Sequence, residues 1–435
     1  MRFPVWAGPL LLLISHPVLG QQDDRLAPID EPPTTAATLE QAVRSLQMIE
    51  DPVRETLELD RRVRRLGRLR RPELVRHLIE MYELAPEPTR LLLLECFADI
   101  PLEQVRVFLE TISQSEDWRF RAVAVTSLIT DGHRRRSLKR LQECLEQEDY
   151  WQVRAAALDG VIAGGWYPPQ VIPTLIDVLD REDGRLEQAA LTALQSLSGH
   201  GEFGREASVW RDWFKGLQTR GTPATGRYRR PTYYGVPIDS RRPVFIIDTS
   251  GSMAQTMSMS LPTGRSWSPQ VRPFLEFDGP VTRIGRARLE LAQALVELED
   301  QDRFGIVFFS SSAYPWKKEL LPAQDHPQSA ALERVLTLGG RGSTNIHQAL
   351  EVALTVSHGE NRRPGTEGPD TFFLLTDGVP TSGEIEIEDE IRSWFRRLNR
   401  QRHVRVHTFG IGAHARSLLR GLAADSGGTY VDLSH

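Results

Sequence analysis

Cysteine is nearly absent: Cys96 and Cys144 are the only two in 435 residues. There is no CxxC pair and no cysteine–histidine cluster at zinc spacing, which excludes a structural zinc framework. Both cysteines sit in apolar, helix-patterned stretches, where a free thiol behaves as a small buried hydrophobe. Free thiols are the expectation, although an exported chain would also permit one disulfide. Long apolar runs are missing too. Beyond the first twenty residues nothing approaches the roughly 20 apolar positions of a membrane-spanning helix. A strong charge imbalance is also lacking. The formal net charge of −5 argues against a global role on nucleic acid or an anionic membrane. The eleven histidines fall in no pattern that indicates a catalytic triad. What is present, 40% hydrophobic and 26% charged residues, is the material of an ordinary globular protein with ample core.

The chain opens with Arg2, an apolar run from Val5 to Ile14, and Val18-Leu19-Gly20. This is the layout of a signal peptide over 1–20, cut between Gly20 and Gln21. No cysteine follows that cut to carry a lipid anchor. Export to the periplasm, the cell surface or the medium is therefore expected, with no membrane span after cleavage. Residues 21–38 are polar and proline-bearing and read as a flexible leader. From 39 to 214 the pattern is helical throughout. The segments PTRLLLLECFADI, RFRAVAVTSLITDG, WQVRAAALDGVIAGG and RLEQAALTALQSLSG align on Arg90, Arg121, Arg154 and Glu187, spaced 31, 33 and 33 residues apart. Second helices such as SLKRLQECLEQ and VIPTLIDVLD lie between them. A period in the thirties built of helix pairs predicts a solenoid in which each repeat buries its apolar face on its neighbours. The region resembles HEAT-like repeats; an irregular helical bundle is the alternative. The basic run RRVRRLGRLRR at 61–71 reads as a solvated helix face offset by the acidic EDPVRETLELD before it, not as a nucleic-acid patch. Glycine and proline then accumulate over 215–242, which reads as a linker or a tied-down strap.

From Pro243 to the end the pattern changes. VFIID, FGIVFFS, TFFLLTDG, VRVHTFGIG and TYVDLS are apolar without alternation, and amphipathic helices separate them. Such strands predict a parallel sheet covered on both faces. YPWKKELL adds an edge strand. Ligands of these sheets sit at the carboxyl ends of the strands. There the chain places Asp248, Ser250 and Ser252 after the first strand, Thr344 in the GGRGSTN loop, and Asp377 in TDG. Two carboxylates and three hydroxyls form an all-oxygen donor set, which selects a hard cation over zinc or copper.

FIIDTSGSM, GSTNI and LLTDG resemble the D-x-S-x-S, threonine and aspartate motifs of von Willebrand factor type A and integrin I-like domains, over residues 243–435. The fold class is therefore multidomain: an all-α HEAT-like solenoid followed by an α/β doubly wound, Rossmann-like von Willebrand A-type domain. The resemblance implies a metal-ion-dependent adhesion site, or MIDAS, holding Mg²⁺ (or Mn²⁺ or Ca²⁺). Ser250, Ser252 and Thr344 would be hydroxyl ligands, and Asp248 and Asp377 would bind directly or through water. It also implies a non-catalytic binding function, in which a protein ligand presents Glu or Asp to the metal and a second protein docks on the solenoid. Residues 254–281 depart from the pattern as a longer loop, expected to cover the site or choose the partner. Taken singly, each site residue also fits a plainer role, as a helix cap for the serines and Thr344 or a turn for the aspartates. Two other functions compete with this one. One is an assembly or chaperone subunit serving a partner ATPase. The other is an aspartic-protease-like hydrolase, since DTSG at 248–251 and DSG at 425–427 lie 177 residues apart. That fold is almost wholly β, which the helical patterns here oppose.

Overall fold

The computed structural model describes residues 31–49, 51–130, 134–164, 170–215, 231–257, 267–275, 281–357 and 368–434. The expected signal segment, most of the leader and residues 216–230 lie outside them.

Helices fill the first half: α1 (Ala36–Gln47), α2 (Thr56–Gly67), α3 (Pro72–Leu84), α4 (Glu87–Ala98), α5 (Glu103–Ile112), α6 (Trp118–Thr130), α7 (Arg134–Gln147), α8 (Trp151–Gly164), α9 (Val171–Arg181), α10 (Gly184–Ser198) and α11 (Ala207–Phe214). The four repeated segments are α4, α6, α8 and α10, and they stack in that order. Helices α6 and α8 bury residues on nearly every face, because neighbours enclose them on all sides. Two of the aligned arginines have a common task. Arg121 donates to both carboxylate oxygens of Glu148 at 2.9 and 2.8 Å, and Arg154 bonds Glu182 one repeat later. Arg121 and Arg154 thus each reach a carboxylate at the end of the repeat's second helix, while Arg90 lies over the Phe120 ring. The cysteines are free and buried, in two different apolar clusters. Burial pushes the Cys144 thiol up to about 12 and that of Cys96 well above its usual value, so neither is a reactive thiolate. In the basic run, Arg61 and Arg62 both pair with Glu58 at 2.8 Å, while Val63, Leu66 and Leu69 face inward.

The connection into the second half is tied down where it is described. β1 (Thr232–Tyr233) and β2 (Val236–Pro237) form a hairpin whose two turn residues, Tyr234 and Gly235, both have positive φ, as the two-residue I′ turn requires. Tyr233 is buried against the rings of Phe245 and Phe409. Next come β3 (Pro243–Asp248), α12 (Arg283–Glu297), β4 (Arg303–Phe309), β5 (Ala313–Pro315), β6 (Leu321–Pro322), α13 (Asp325–Leu336) and α14 (Ile346–Thr355). The chain ends with β7 (Thr371–Thr376), α15 (Glu388–Arg402), β8 (Arg405–Gly410), α16 (Arg416–Ser426) and β9 (Tyr430–Asp432). The strands run in the order β5-β4-β3-β7-β8-β9, with β6 also on β4; β5 and β6 are antiparallel and the rest parallel. Every residue of β3 and β7 is buried, which explains why neither alternates. The chain leaves β3 for β4 on one side and returns to β7 on the other. The carboxyl ends of β3 and β7 therefore flank the reversal point where such sheets open a crevice.

The helical array meets this domain along α15 and at the starts of the strands. Helices α2, α6 and α8 pack against α15. Asp60 accepts from Ser393, Arg396 and Arg397. Glu95 lies 3.6 Å from Arg397 and 3.7 Å from Arg400. Just before β3, Arg242 stacks over Trp151, and Arg241 pairs with Asp183 and Asp302. Just before β8, His403 pairs with Asp159. One face of the solenoid is thus covered by the chain's own α15.

Candidate metal centre

All five sequence-predicted residues come to the carboxyl edge of the sheet, opposite the array. Asp248 ends β3 and is fully buried. Its Oδ1 accepts from the Ser250 backbone N–H at 2.7 Å, which folds the Asp-Thr-Ser turn back over the strand end; its Oδ2 accepts from the Thr376 hydroxyl. The Ser250 and Ser252 hydroxyls are 3.1 Å apart, and Ser252 donates to Asp377 Oδ1 at 2.7 Å. A chain of hydroxyls therefore joins the end of β3 to the residue that follows β7. Thr344 flanks Gly378: a Cβ at that glycine would stand 3.0 Å from the Thr344 hydroxyl.

The glycine-rich loop is held by backbone. Arg341 N–H donates to Thr249 O at 2.8 Å, and Gly251 N–H donates to Gly342 O at 2.9 Å. Approach is so close that a Cβ on Gly340 would lie 2.8 Å from the Ser250 carbonyl oxygen; only glycine fits there. Thr344 is gripped at both backbone groups, its N–H donating to Thr381 Oγ1 and its carbonyl accepting from Thr381 N–H, each at 2.9 Å.

These contacts bear on the plainer readings: Asp248 does make a turn bond, to the Ser250 N–H. The cap of α14 is Asn345, whose side chain accepts from Gln348 N–H at 3.0 Å, so the Thr344 hydroxyl has no capping duty. Ser250 precedes the 3-10 turn Gly251–Ala254 without a side-chain capping bond. Asp377 spends its carboxylate on Ser252 and on a residue the motif did not announce. Arg283, first in α12, donates through Nη1 to Asp377 Oδ2 at 2.7 Å. Arg283 and Thr376 are the site residues that sequence reading missed. Thr376 stood inside the quoted TDG motif, and a hydroxyl one residue before the aspartate was the available signal; for Arg283 there was none beyond its place at a helix start.

Burial pushes the Asp248 carboxyl up to about 6; bonds from Thr376 and Ser250 oppose that rise, and the charge of Asp377 adds to it. A buried carboxylate in that condition favours a nearby cation. The donor set is all oxygen, and among the described residues no group of three or more His, Cys, Asp or Glu offers a rival metal site. The five residues fit a small hard cation.

The rival acid pair is not assembled. Asp425 accepts two 2.7 Å bonds from Arg392, and the Ser426 hydroxyl donates to Leu422 O; neither contacts Asp248. The long loop also has a described part. Trp267 and Val271 pack on Leu289 and Ala292 of α12, and Met257 N–H donates to Val281 O.

Residues 286–432 match the von Willebrand factor type A domain, and residues 104–195 match HEAT repeats. The chain is 27% identical over 198 residues to inter alpha-trypsin inhibitor, heavy chain 4, of Mus musculus, a match covering 44% of this chain and 18% of that protein. It is 30% identical over 165 residues to inter-alpha-trypsin inhibitor heavy chain H4 of Homo sapiens, covering 36% and 15%. It thus spans under a fifth of the length of these relatives. Among solved structures it is similar to a von Willebrand factor type A protein from Catenulispora acidiphila, at 20% identity and a TM-score of 0.33, over 46% of this chain and 40% of that one.

Proposed function

Starting from a chain that joins HEAT repeats to a von Willebrand factor type A domain, we propose an exported, metal-dependent protein-binding protein. Residues 1–20 direct export, 21–38 form a leader, 39–214 the array, 215–242 the connection and 243–435 the metal-bearing domain. Ser250, Ser252 and Thr344 hold Mg²⁺, with Mn²⁺ or Ca²⁺ as substitutes, and Asp248 and Asp377 hold it directly or through water. Bound there, the cation supplies positive charge to a Glu or Asp of a protein partner, a charge-assisted contact that gives specificity at an interface. On this reading the site binds a partner and does not catalyse.

The observation that carries this reading is the Ser250–Ser252–Asp377 hydroxyl chain beside a Thr344 hydroxyl whose capping duty belongs to Asn345. Mostly neutral donors leave the cation with residual charge for an outside carboxylate. Calorimetric titration tests it. Mg²⁺ and Mn²⁺ should bind in the micromolar to millimolar range and fail to bind Asp248→Ala, with circular dichroism unchanged. Identical titrations for wild type and variant would end the proposal. A pull-down in Mg²⁺ against EDTA then isolates the partner.

A further inference from the structure

A cavity of about 460 Å³ lies between the array and the sheet domain, at the edge away from the metal centre. Its two walls differ in character. The array contributes Ala98, Val123, Ile162 and Ala163. The other wall carries Arg396, Arg400, His403 and Arg405.

The carboxylates here already have partners. Asp159 takes bonds from Arg185 at 2.9 Å and from His403 Nδ1 at 2.9 Å. Burial works to raise its pKa, but Arg185 and His403 outweigh burial and hold it well below the usual range. Asp425 is taken up by Arg392, and Asp60 by Arg396 and Arg397. Arg405 is different. Its side chain is 7% exposed, and its Nε has no hydrogen-bond partner among the described residues. His403, 9% exposed, bonds Asp159 through Nδ1 and leaves Nε2 unpartnered among them. Arg400 has only a 3.7 Å approach to Glu95. Burial, reinforced by the charge of Arg185, lowers the Arg405 pKa to about 9; Asp159, Asp239 and Asp370 oppose that fall from a distance, but each is engaged by other partners: Arg185 and His403, Arg205, and Ser240 with Arg242. Hydroxyls on the array side are spent, since Thr126, Ser127 and Thr192 each donate to a carbonyl of their own helix.

We propose that this interdomain cavity binds a small organic carboxylate, its acid group on the guanidinium of Arg405 with Arg400 and His403 beside it, and its apolar body against Val123 and Ile162 of the array. A planar guanidinium matches a carboxylate with two parallel bonds, and a buried guanidinium with a free N–H rewards that match most. The volume suits a ligand larger than a bare ion. Such a ligand touches both halves of the chain and so strengthens their contact.

The test is calorimetric titration of the full chain, in EDTA, with three probes: benzoate, benzyl alcohol and inorganic phosphate. Benzoate should bind once per chain, phosphate at least about tenfold more weakly, and benzyl alcohol not measurably. Arg405→Gln should weaken benzoate at least about tenfold. Ala163→Phe, which fills the cavity from the array and leaves every charge in place, should abolish binding while the thermal melt stays cooperative. No benzoate binding in the wild type overturns the site. Benzoate binding that survives both substitutions places it elsewhere and also overturns the site. Phosphate binding as tightly as benzoate overturns the assignment of an apolar body.

Discussion

Arg283 Nη1 stands 2.7 Å from Asp377 Oδ2, so one of the two acids of the candidate metal centre carries a built-in counter-ion. Asp248 carries none and meets only hydroxyl and backbone donors. The two acids are therefore unequal. A cation arriving at this edge meets one unneutralised carboxylate, three hydroxyls and a carboxylate already shared with a guanidinium.

Removing that counter-ion should strengthen metal binding. At an effective dielectric of about 20, a unit charge several ångströms away changes the energy of a divalent ion by a few kcal/mol, less whatever rearrangement of Asp377 costs. Arg283→Gln should tighten Mn²⁺ at least about fivefold by calorimetry. The same variant should weaken capture of an acidic partner, because the metal then sits beside more negative charge. Looser Mn²⁺ binding in Arg283→Gln would show that the arginine instead holds Asp377 in place.

Asp248 sets a pH dependence in the metal-free protein. Its folded pKa of about 6 lies above the ordinary carboxylate value, so the folded state binds the proton more tightly than the unfolded chain does. Stability from this group is present at low pH, falls as pH rises from about 4 to 6, and stays lost above that. Two pKa units correspond to about 3 kcal/mol. In EDTA at pH 7.5, Asp248→Asn should raise the urea midpoint by an amount equivalent to about 1–3 kcal/mol, and the gain should shrink at pH 5. An equal gain at both values would contradict the ionised-carboxylate penalty.

Asp60 holds the two halves together. It receives Ser393, Arg396 and Arg397, and its removal leaves Arg397 with the Thr56 hydroxyl at 3.3 Å and Glu95 at 3.6 Å. Deleting one side of a buried ion pair costs about 3–5 kcal/mol. Asp60→Ala should therefore separate the heat-capacity peaks of the array and the sheet domain and open α15 to proteolysis. A calorimetric trace matching wild type would refute this role.

Within the array, Arg121→Ala should cost about 2 kcal/mol, because Glu148 would lose a two-bond partner in a largely buried position and the Tyr150 ring its covering guanidinium. Arg154→Ala should cost a similar amount, since it repeats the contact with Glu182. Helical melting followed by circular dichroism measures both. Unchanged melts would mean that these pairs set register alone.

Much of this was legible in the sequence because it is local. Apolar runs of six residues, helix faces and the 31–33-residue spacing depend on neighbours along the chain, and the strands and repeats follow from them. The Asp248-Thr-Ser-Gly-Ser252 turn is likewise self-contained. What escaped depends on distant partners. Arg283 looks like any first-turn residue until the fold brings Asp377 to it from 94 positions away. In RSWFRRLNRQR the apolar residues mark one buried face. Nothing local marks Arg396, Arg397 and Arg400 as the face that meets Asp60 and Glu95 from the far end of the chain.

The array grips residues 241 and 242, and the candidate metal centre begins at Asp248, with only β3 between them. A tug on a partner seated at Asp248 thus reaches the array along six residues of covalent backbone. It need not cross the hydrogen bonds that join one strand to the next. Force passes lengthwise through the middle of the sheet and is received by Trp151 and Asp183 at the other end. A partner held at Asp248, as proposed, would load the chain lengthwise along β3.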